Sequence, residues 1–269
     1  MSLPYAEVIG DPISQSKSPL IHKFWLDALG MQADYRACHV LPAGLEAYVA
    51  QRRTDEQWRG CNVTIPHKLA VMDHVADPGN VRSTIGAMNT IAREENGALF
   101  GTNTDAAGFF APIADVPIKD ATAIVIGTGG AAHAVLFALA KCGIGSVLLL
   151  ARNPLKGAAL LARFGLKGRV LAFGSVLPPA QLLVNASPLG MTGQDPLPLS
   201  LDSQADDCVV YDLVYQPLMT PLLRAAQDRG LDCVDGLDML IGQAALAFEL
   251  FFGAVPPRDD TALRTLLTA

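Results

Sequence analysis

The sequence predicts an α/β protein with two domains, and three observations support that fold class. Short apolar segments with the spacing of strands alternate with segments of helical spacing along most of the 269 residues. The strands of the second half are continuously apolar, which is typical of a parallel sheet covered by helices on both faces. A glycine-rich segment joins one of these strands to an alanine-rich helix. We expect a mainly parallel sheet in the first domain as well.

The first hundred residues contain the elements of the first domain. Residues 19–29 carry apolar side chains at helical spacing, and Ser18 before Pro19 predicts an N-cap with proline at the first helical position. Residues 95–97 read Glu-Asn-Gly between two apolar segments, which predicts a hairpin turn. The strands expected here are Tyr5–Gly10, Tyr35–Val40, Cys61–Ile65, Met88–Ala92 and Ala98–Gly101.

The second half of the chain repeats a strand and helix pattern. The expected strands are Ala121–Ile126, Val147–Ala151, Leu182–Asn185 and Val209–Asp212. The expected helices are an alanine-rich one that ends at about Cys142, then Pro154–Phe164, Pro221–Arg229, a long one over about Leu237–Phe252 and a short one from about Asp259. Domain boundaries are expected near Asp105 and near Gly236.

Composition argues against several classes of protein. A net charge of -6 gives no reason to expect nucleic acid as a partner, and no apolar run approaches the roughly 18 residues that span a bilayer. The N-terminal residues lack the basic segment of a secretory signal, so a cytoplasmic location is expected. The five cysteines are scattered and the histidines lack metal-ligand spacing, so we expect no metal and no disulfide framework.

The glycine-rich segment indicates a dinucleotide site. Gly127, Gly129 and Ala132 match the spacing G-x-G-x-x-A between a strand and a helix, which is the Rossmann fingerprint. The first glycine permits a tight turn, the second lets backbone amides approach a pyrophosphate, and the third small residue lets the helix pack on the sheet. The helix N-terminus then supplies amides and the positive end of its dipole.

The charges around this segment favour NADP over NAD. An NAD site normally carries an acidic residue about 20 positions further on, which binds the ribose 2′-hydroxyl. Residues 121–194 contain no Asp or Glu, and they carry six Lys and Arg residues. Arg152 follows the second strand of this domain and could bind a 2′-phosphate through its planar guanidinium, with Lys156 one turn into the next helix.

Polar clusters in the first hundred residues are the candidates for substrate chemistry. Ser16 and Ser18 precede a helix and could hold a carboxylate, although N-capping is the simpler role for Ser18. Lys68 is expected near the start of a helix, where the dipole and a closed cleft disfavour the ammonium and make proton exchange easier. Asp105 is expected to cap the following helix and also to lie where substrate and nicotinamide meet.

Together these segments resemble the shikimate dehydrogenase family over nearly the whole chain. The matching motifs occur in the order Ser16-x-Ser18-Pro19, Asn62-Val63-Thr64-x-Pro66-x-Lys68, Gly86-Ala87-x-Asn89-Thr90, Asn103-Thr104-Asp105, the glycine-rich segment, Tyr211-Asp212 through Tyr215, and Asp235-Gly236-Leu237 with Gln243. The family's Asn-Arg-Thr after the second nucleotide strand is Ala151-Arg152-Asn153 here, and His133 stands where arginine or serine is common.

The resemblance implies a role for each part of the chain. Residues 1–105 with 237–269 would form the catalytic domain that binds substrate, with the C-terminal helices packed back on it, and residues 106–236 the Rossmann domain. Lys68 and Asp105 would be the catalytic pair. The implied substrate-binding residues are Ser16, Ser18, Asn62, Thr64, Asn89, Tyr215 and Gln243. The implied cofactor-binding residues are Gly127, Gly129, Gly130, Ala131, Ala132, Arg152, Lys156, Asn185, Ser187, Leu213, Gly236 and Met239.

The function implied by the resemblance is the reversible reduction of 3-dehydroshikimate to shikimate with NADPH, within the shikimate pathway that leads to chorismate and the aromatic amino acids. NADPH would deliver hydride to the ketone carbon, and Lys68, oriented by Asp105, would supply the proton. In the oxidative direction either the neutral amine of Lys68 or Asp105 would take the proton. Two alternatives stay open: a quinate or aminoshikimate dehydrogenase of the same family, and a non-catalytic NADP-binding regulatory module. The expected partners are small molecules, without nucleic acid, membrane or metal, and the chain would act as a monomer or homodimer.

Overall fold

A computed structural model describes residues 3–257 and 261–268 of the chain. These residues fall into two compact units. The described residues up to Asp105 and from Leu240 onward make the first unit, and Ala106–Met239 make the second. Each contains a sheet and the helices that cover it, so the predicted α/β fold class is confirmed. The helix start expected at Asp259 lies outside the described residues.

The sheet of the first unit is mixed. Its strands are β1 (Tyr5–Gly10), β2 (Asp34–His39), β3 (Trp58–Val63), β4 (Thr90–Arg93) and β5 (Leu99–Thr102), in the order β2-β1-β3-β4-β5. β1 is parallel to both β2 and β3, whereas β4 is antiparallel to both β3 and β5. The expected hairpin is confirmed, and it explains why the sheet is not mainly parallel. A tight turn can join only antiparallel strands, whereas a parallel pair needs a crossover connection.

Helices of the first unit come from both ends of the chain. They are α1 (Ser18–Ala28), α2 (Leu45–Arg53), α3 (Val81–Thr84), the part of α8 (Gly236–Phe252) from Leu240 onward, and α9 (Thr261–Thr268). α4 (Asp105–Phe110) begins at the boundary with the second unit. The prediction that Ser18 is an N-cap is wrong, because Ser18 is already helical and Lys17 occupies the cap position. The hydroxyl of Ser16 instead accepts the Ser18 N–H at 3.3 Å.

An aromatic core joins the C-terminal helix to the first sheet. His22 of α1 stacks on Tyr35 of β2 with ring centroids 3.9 Å apart, and Phe248 of α8 meets Trp25 edge to face at 5.6 Å. Phe251 completes the cluster 6.4 Å from the Tyr35 ring. These side chains are almost fully buried, so their apolar area stabilises this packing. The expected return of the C-terminal helices to the first domain is confirmed.

The sheet of the second unit is parallel and doubly wound. Its strands are β6 (Thr122–Ile126), β7 (Ser146–Leu150), β8 (Gly168–Leu171), β9 (Leu182–Asn185), β10 (Val209–Asp212) and β11 (Asp232–Val234), in the order β11-β10-β9-β6-β7-β8. Its helices include α5 (Gly130–Lys141), α6 (Pro154–Arg163) and α7 (Pro221–Asp228). Alternate residues of β6 enter different cores: Ala123 and Val125 pack on one face, and Ile124 and Ile126 on the other. Continuous apolar strands are required because both faces are covered.

This topology reverses direction between β6 and β9. From β6 the chain proceeds outward through β7 to β8, and it then returns to the other side of β6. Open α/β sheets bind ligands outside the carboxyl ends of their strands at such a switch point. Among the described residues, no helix has the length and apolar character needed to cross a membrane.

Candidate active site

A largely buried ion pair, of a half-buried lysine and a buried aspartate, lies at the centre of the polar residues of the first unit. Nζ of Lys68 lies 2.5 Å from Oδ2 of Asp105, and only 14% and 5% of the two side chains are exposed. A charge-assisted hydrogen bond this short is stronger than a neutral one, because little water competes for either group. The two residues that the sequence singled out for proton transfer are therefore in direct contact.

Asn89 connects this ion pair to two further polar side chains. Its Nδ2 donates to Oδ1 of Asp105 at 2.9 Å, to the Thr104 hydroxyl at 2.8 Å and to Oε1 of Gln243 at 3.2 Å. Its Oδ1 accepts the backbone N–H of Thr104 at 2.7 Å. Gln243 comes from α8 and reaches this cluster although it lies 154 positions from Asn89 in the sequence. Both oxygens of Asp105 thus accept hydrogen bonds, as an ionised carboxylate does.

Backbone hydrogen bonds fix the segments that carry these side chains. The Met88 N–H donates to the Lys68 carbonyl at 2.8 Å, which ties the lysine segment to the segment before β4. Asn89 is held on both sides, since its N–H donates to Thr102 and its carbonyl accepts from Val63. The helix expected near Lys68 is a short 3-10 helix over Ala70–Asp73, and Lys68 itself lies in the turn before it. Lys68 therefore lies in a tight turn and Asn89 immediately before β4, without a long helix dipole at the lysine.

The remaining predicted substrate residues occupy different positions around the first sheet. Ser16 is half-buried and Ser18 buried at the start of α1, while Thr64 is half-buried immediately after β3. Asn62 is buried within β3, where its Oδ1 accepts the Tyr35 hydroxyl at 2.6 Å and its Nδ2 donates to the Thr90 hydroxyl at 3.3 Å. Tyr215 belongs to the second unit and is half-buried after β10. Among the described residues, the structure brings together Lys68, Asp105, Asn89 and Gln243 directly and Asn62 through Thr90.

The glycine-rich segment of the second unit has the geometry of a dinucleotide loop. Gly127 has a φ of +110°, and a Cβ there would lie 2.8 Å from the Ala186 carbonyl oxygen, so this turn requires glycine. Gly129 is the N-cap residue of α5, and a Cβ on it would meet no protein atom within 4 Å. Protein packing therefore does not require a glycine at Gly129. A group that approaches the first amides, Gly130 and Ala131, would require it, and a pyrophosphate fits that description.

Side chains around this loop come from the same edge of the sheet. Ala132 is fully buried against the core, as the fingerprint requires. Arg152 and Lys156 are exposed beyond the end of β7, the strand beside β6, and Asn153 caps α6 by accepting the Lys156 N–H at 3.1 Å. The first turns of α5 and α6 carry no acidic residue. The charges near the loop therefore suit an anionic 2′-phosphate.

Asp212, which the sequence did not single out for a role, organises the neighbouring loops. Its Oδ1 accepts from Nδ2 of Asn185 at 2.9 Å and from the Val214 N–H at 3.0 Å, and its Oδ2 accepts from the Thr220 hydroxyl at 2.7 Å. Asn185 in turn accepts from the N–H and hydroxyl of Ser187. Burial is the main reason that the pKa of Asp212 lies above its usual value.

Two more predicted cofactor residues adjoin this network. The Leu213 N–H donates to the Asn185 carbonyl at 3.0 Å, and a Cβ on Gly236 would lie 2.6 Å from the Leu213 carbonyl oxygen. Met239 is buried in the core of the second unit. Asn185, Ser187, Leu213 and Gly236 thus lie close together at the carboxyl ends of β9 and β10.

The described residues contain no cluster of side chains that could bind a metal ion. No group of three or more His, Cys, Asp or Glu residues among them is arranged to hold a metal ion. The ring of His67, the histidine beside Lys68, is buried and bonded to the Val40 carbonyl at 2.6 Å. His67 is therefore turned to a structural partner, and the candidate proton-transfer groups are Lys68 and Asp105.

Two family models match the chain. The shikimate dehydrogenase substrate binding domain matches residues 8–91, and the shikimate 5'-dehydrogenase C-terminal domain matches residues 236–261. The shikimate dehydrogenase (NADP(+)) of Sphingopyxis alaskensis is 66% identical over 268 residues, which cover 99% of this chain and 97% of that protein.

Solved structures show the same similarity. Shikimate 5-dehydrogenase from Thermus thermophilus, in complex with NADP(H) and shikimate, is 36% identical with a TM-score of 0.83 and 95% coverage of both chains. Quinate dehydrogenase from Corynebacterium glutamicum, in complex with NAD, is 26% identical with a TM-score of 0.87, and the match covers 98% of this chain and 99% of that one.

Proposed function

The chain belongs to the shikimate dehydrogenase family, and on that premise we propose that Lys68 and Asp105 catalyse the reversible, NADPH-dependent reduction of 3-dehydroshikimate to shikimate. The protein is an NADP-dependent oxidoreductase that acts on a CH–OH group. One observation carries the residue assignment: the 2.5 Å contact between the half-buried Lys68 and the buried Asp105, which carry opposite charges and come from distant parts of the chain. The shikimate formed in this reaction would continue along the shikimate pathway towards chorismate and the aromatic amino acids.

In this proposal Lys68 is the group that transfers the proton to and from the substrate oxygen. NADPH, when bound, supplies a hydride to the ketone carbon. Negative charge develops on the ketone oxygen, and the ammonium of Lys68 stabilises it and donates the proton. Asp105 holds Nζ in position and stabilises the ammonium before transfer. In the oxidative direction the neutral amine accepts the hydroxyl proton. In either direction Lys68 regains its starting state by exchanging one proton with the solvent.

Substrate recognition in this proposal uses hydroxyl and amide side chains. Ser16 and Ser18 would bind the substrate carboxylate with hydroxyls at the start of α1. The side chains that would bind ring hydroxyls are Thr64, Asn89, Asp105 and Gln243, with Tyr215 nearby, and Asn62 belongs to the same substrate-binding set. Asn89 and Gln243 are the best supported, because both already hydrogen-bond within the cluster that contains Asp105. An analogue without the matching hydroxyl would leave these buried groups unpaired, which gives selectivity.

Cofactor binding is assigned to the second unit. Gly127, Gly129, Gly130, Ala131 and Ala132 would hold the pyrophosphate, and Arg152 and Lys156 the 2′-phosphate. Met239 would help to seat the nicotinamide, and the other assigned cofactor residues are Asn185, Ser187, Leu213 and Gly236. The open space in front of Gly129 and the absence of acidic residues in the first turns of α5 and α6 support this assignment.

A steady-state comparison tests the proposal against its nearest alternative. Shikimate and quinate would each be oxidised with NADP and with NAD. We expect the highest kcat/KM for shikimate with NADP. A preference for quinate with NAD would instead identify a quinate dehydrogenase. The quinate dehydrogenase of Corynebacterium glutamicum has the same fold as this chain. If the protein binds NADP but oxidises neither substrate, the result would favour the alternative that it is a non-catalytic NADP-binding regulatory module.

We also propose a cytoplasmic location and a monomeric or homodimeric state with small molecules as the only partners. All five cysteines are free, which fits a reducing compartment. Light scattering at several protein concentrations tests the oligomeric state, and cell fractionation tests the location.

A further inference from the structure

A chain of buried hydrogen bonds extends from the Lys68–Asp105 pair into the first sheet. Beyond Asn89, the Thr90 hydroxyl donates to Oδ1 of Asn89 at 3.1 Å. Thr90 accepts from Nδ2 of Asn62 at 3.3 Å, and Oδ1 of Asn62 accepts the Tyr35 hydroxyl at 2.6 Å. Thr90 and Asn62 are direct partners across the antiparallel β3–β4 pair, so the strand register places them opposite each other.

Donor and acceptor chemistry fixes the direction of this chain. The Tyr35 hydroxyl donates to Asn62, so the Asn62 oxygen faces Tyr35 and its NH2 group faces Thr90. A hydroxyl has one hydrogen, and Thr90 uses its hydrogen toward Asn89 because Asn62 already donates to it. The other nearby oxygen, the Thr104 hydroxyl, lies farther away at 3.4 Å. Each member therefore orients the next, from Tyr35 to Asn89.

The orientation of the Asn89 amide matters for Asp105. With Oδ1 held by Thr90 and by the Thr104 N–H, the NH2 group of Asn89 faces the Asp105 carboxylate. An amide turned by 180° would have nearly the same shape but would direct an oxygen at the carboxylate. Two electron-rich oxygens would then repel each other, and Asp105 would lose its second hydrogen-bond donor.

We propose that Thr90 is a positioning residue for the reaction assigned to this site. Its hydroxyl, oriented by Asn62 and Tyr35, holds the Asn89 amide so that Asp105 remains correctly placed against Lys68. Thr90 is 0% exposed, so it acts through Asn89 and does not contact the substrate itself. This inference rests on the proposed catalytic role of Lys68 and Asp105.

Three variants test the hydroxyl separately from the packing. Thr90→Val keeps the shape and removes the hydroxyl, whereas Thr90→Ser keeps the hydroxyl and removes a methyl group. Thr122→Val is the matched control, because it removes a hydroxyl that bonds to Ser146 at 2.9 Å in the second unit. The kinetic constants for shikimate and NADP are measured for each, with far-UV circular dichroism and NADP titration to count folded, cofactor-competent molecules.

We expect Thr90→Val to lower kcat about tenfold and to raise the KM for shikimate several-fold, with the KM for NADP unchanged, which is the order of effect of one lost buried hydrogen bond. Thr90→Ser and Thr122→Val should remain close to the parent enzyme. Equal impairment of Thr90→Val and Thr90→Ser would overturn the inference, because packing would then explain the loss. So would full activity of Thr90→Val.

Two further outcomes keep the test decisive. If the valine variant does not fold, Thr90→Ala replaces it in the same comparison with serine. If the parent enzyme itself does not oxidise shikimate with NADP, the proposed function fails, and that result is independent of Thr90.

Discussion

Lys68 and Asp105 are 37 positions apart in the sequence, yet Nζ of the lysine lies 2.5 Å from Oδ2 of the aspartate. Backbone hydrogen bonds hold Lys68 beside Met88, and Asn89 occupies the other oxygen of Asp105. An ammonium held in this way is ready to give its proton without first ordering a flexible side chain. Lys68 should therefore contribute to kcat far more than to substrate affinity.

Replacement of Lys68 by methionine is predicted to lower kcat for shikimate oxidation by about 10²- to 10⁴-fold, the usual contribution of a general acid or base. The KM for shikimate should change much less, because the serines and amides assigned to binding remain. Asp105→Asn should also lower kcat strongly, since it removes the negative charge that holds the ammonium. Steady-state kinetics with both substrates varied would measure these effects.

Lys23→Met is the matched control for the lysine variant. Lys23 is half-exposed and pairs with Asp34 at 3.3 Å on the surface of the same unit. Exposed ion pairs contribute little, so this variant should keep the parent kcat. Retention of full activity by Lys68→Met would refute the catalytic assignment.

Arg152→Ala is predicted to raise the KM for NADP by about 10- to 100-fold, the range for a lost hydrogen-bonded charge contact to a phosphate. The KM for NAD should hardly change, because NAD lacks the 2′-phosphate. The ratio of kcat/KM for the two cofactors is therefore the useful measurement. Lys167→Ala removes an exposed cation at the opposite end of β7, where the Lys167 carbonyl accepts the Val147 N–H, and should leave this ratio unaltered. Equal losses with NADP and NAD would place Arg152 outside the 2′-phosphate site.

His22 is predicted to make the fold sensitive to acid. Its ring is fully buried against Tyr35, and burial lowers the pKa of His22 from 6.5 to about 3. Below pH 6.5 the His22 ring therefore binds a proton in the unfolded chain but not in the folded chain. The contribution of His22 to the free energy of unfolding is present above pH 6.5 and is lost as the pH falls towards 3. Between pH 6.5 and 4.5 this loss is about 2 kcal/mol, because the slope reaches 1.36 kcal/mol per pH unit only below the unfolded pKa.

His22→Phe keeps an aromatic ring on Tyr35 and removes the titration. Urea unfolding at about pH 4.5 and about pH 6.5 should show a smaller acid loss for His22→Phe than for the parent protein. His74→Phe, at a half-buried position away from the aromatic core, should keep the parent's acid dependence. An identical acid loss in the parent and in His22→Phe would contradict this prediction.

The fold was largely predictable because its signals are local. Continuous apolar segments predicted the central strands of the second sheet, and Gly127 to Ala132 predicted the turn into α5. β8 and β11 were missed because they are short and lie at the two edges of the sheet, where half-exposed residues replace an apolar run. The cap at Ser18 failed for a similarly local reason, since the Ser16 hydroxyl takes the Ser18 amide.

The site was predictable as a set of residues but not as a network. Motifs indicated Lys68, Asp105, Asn89 and Gln243, whereas the link through Thr90 depends on the register of β3 and β4. No local pattern gives the distance between side chains of different strands. For the same reason the sequence did not predict the supporting role of Asp212, because its partners Asn185 and Thr220 come from other segments.

Asp212→Asn is predicted to weaken NADP binding, although the residue is buried behind the loops assigned to the cofactor. The carboxylate accepts from three donors, and an amide would direct an N–H at one of them. A buried donor left unpaired costs about 1–3 kcal/mol, and at about 2–4 °C per kcal/mol the Tm should fall by several degrees.

The loops that carry Ser187 and Leu213 would then lose their common support, so the KM for NADP should rise several-fold while the KM for shikimate stays near the parent value. Asp206→Asn is the control, because Asp206 is fully exposed and lies 3.8 Å from Arg229. Differential scanning calorimetry and NADP titration measure the two effects separately. A lower Tm with unchanged NADP affinity would restrict Asp212 to stability. If both the Tm and the NADP affinity of Asp212→Asn equal those of the parent protein, the hydrogen bonds of Asp212 stabilise neither the second unit nor its loops.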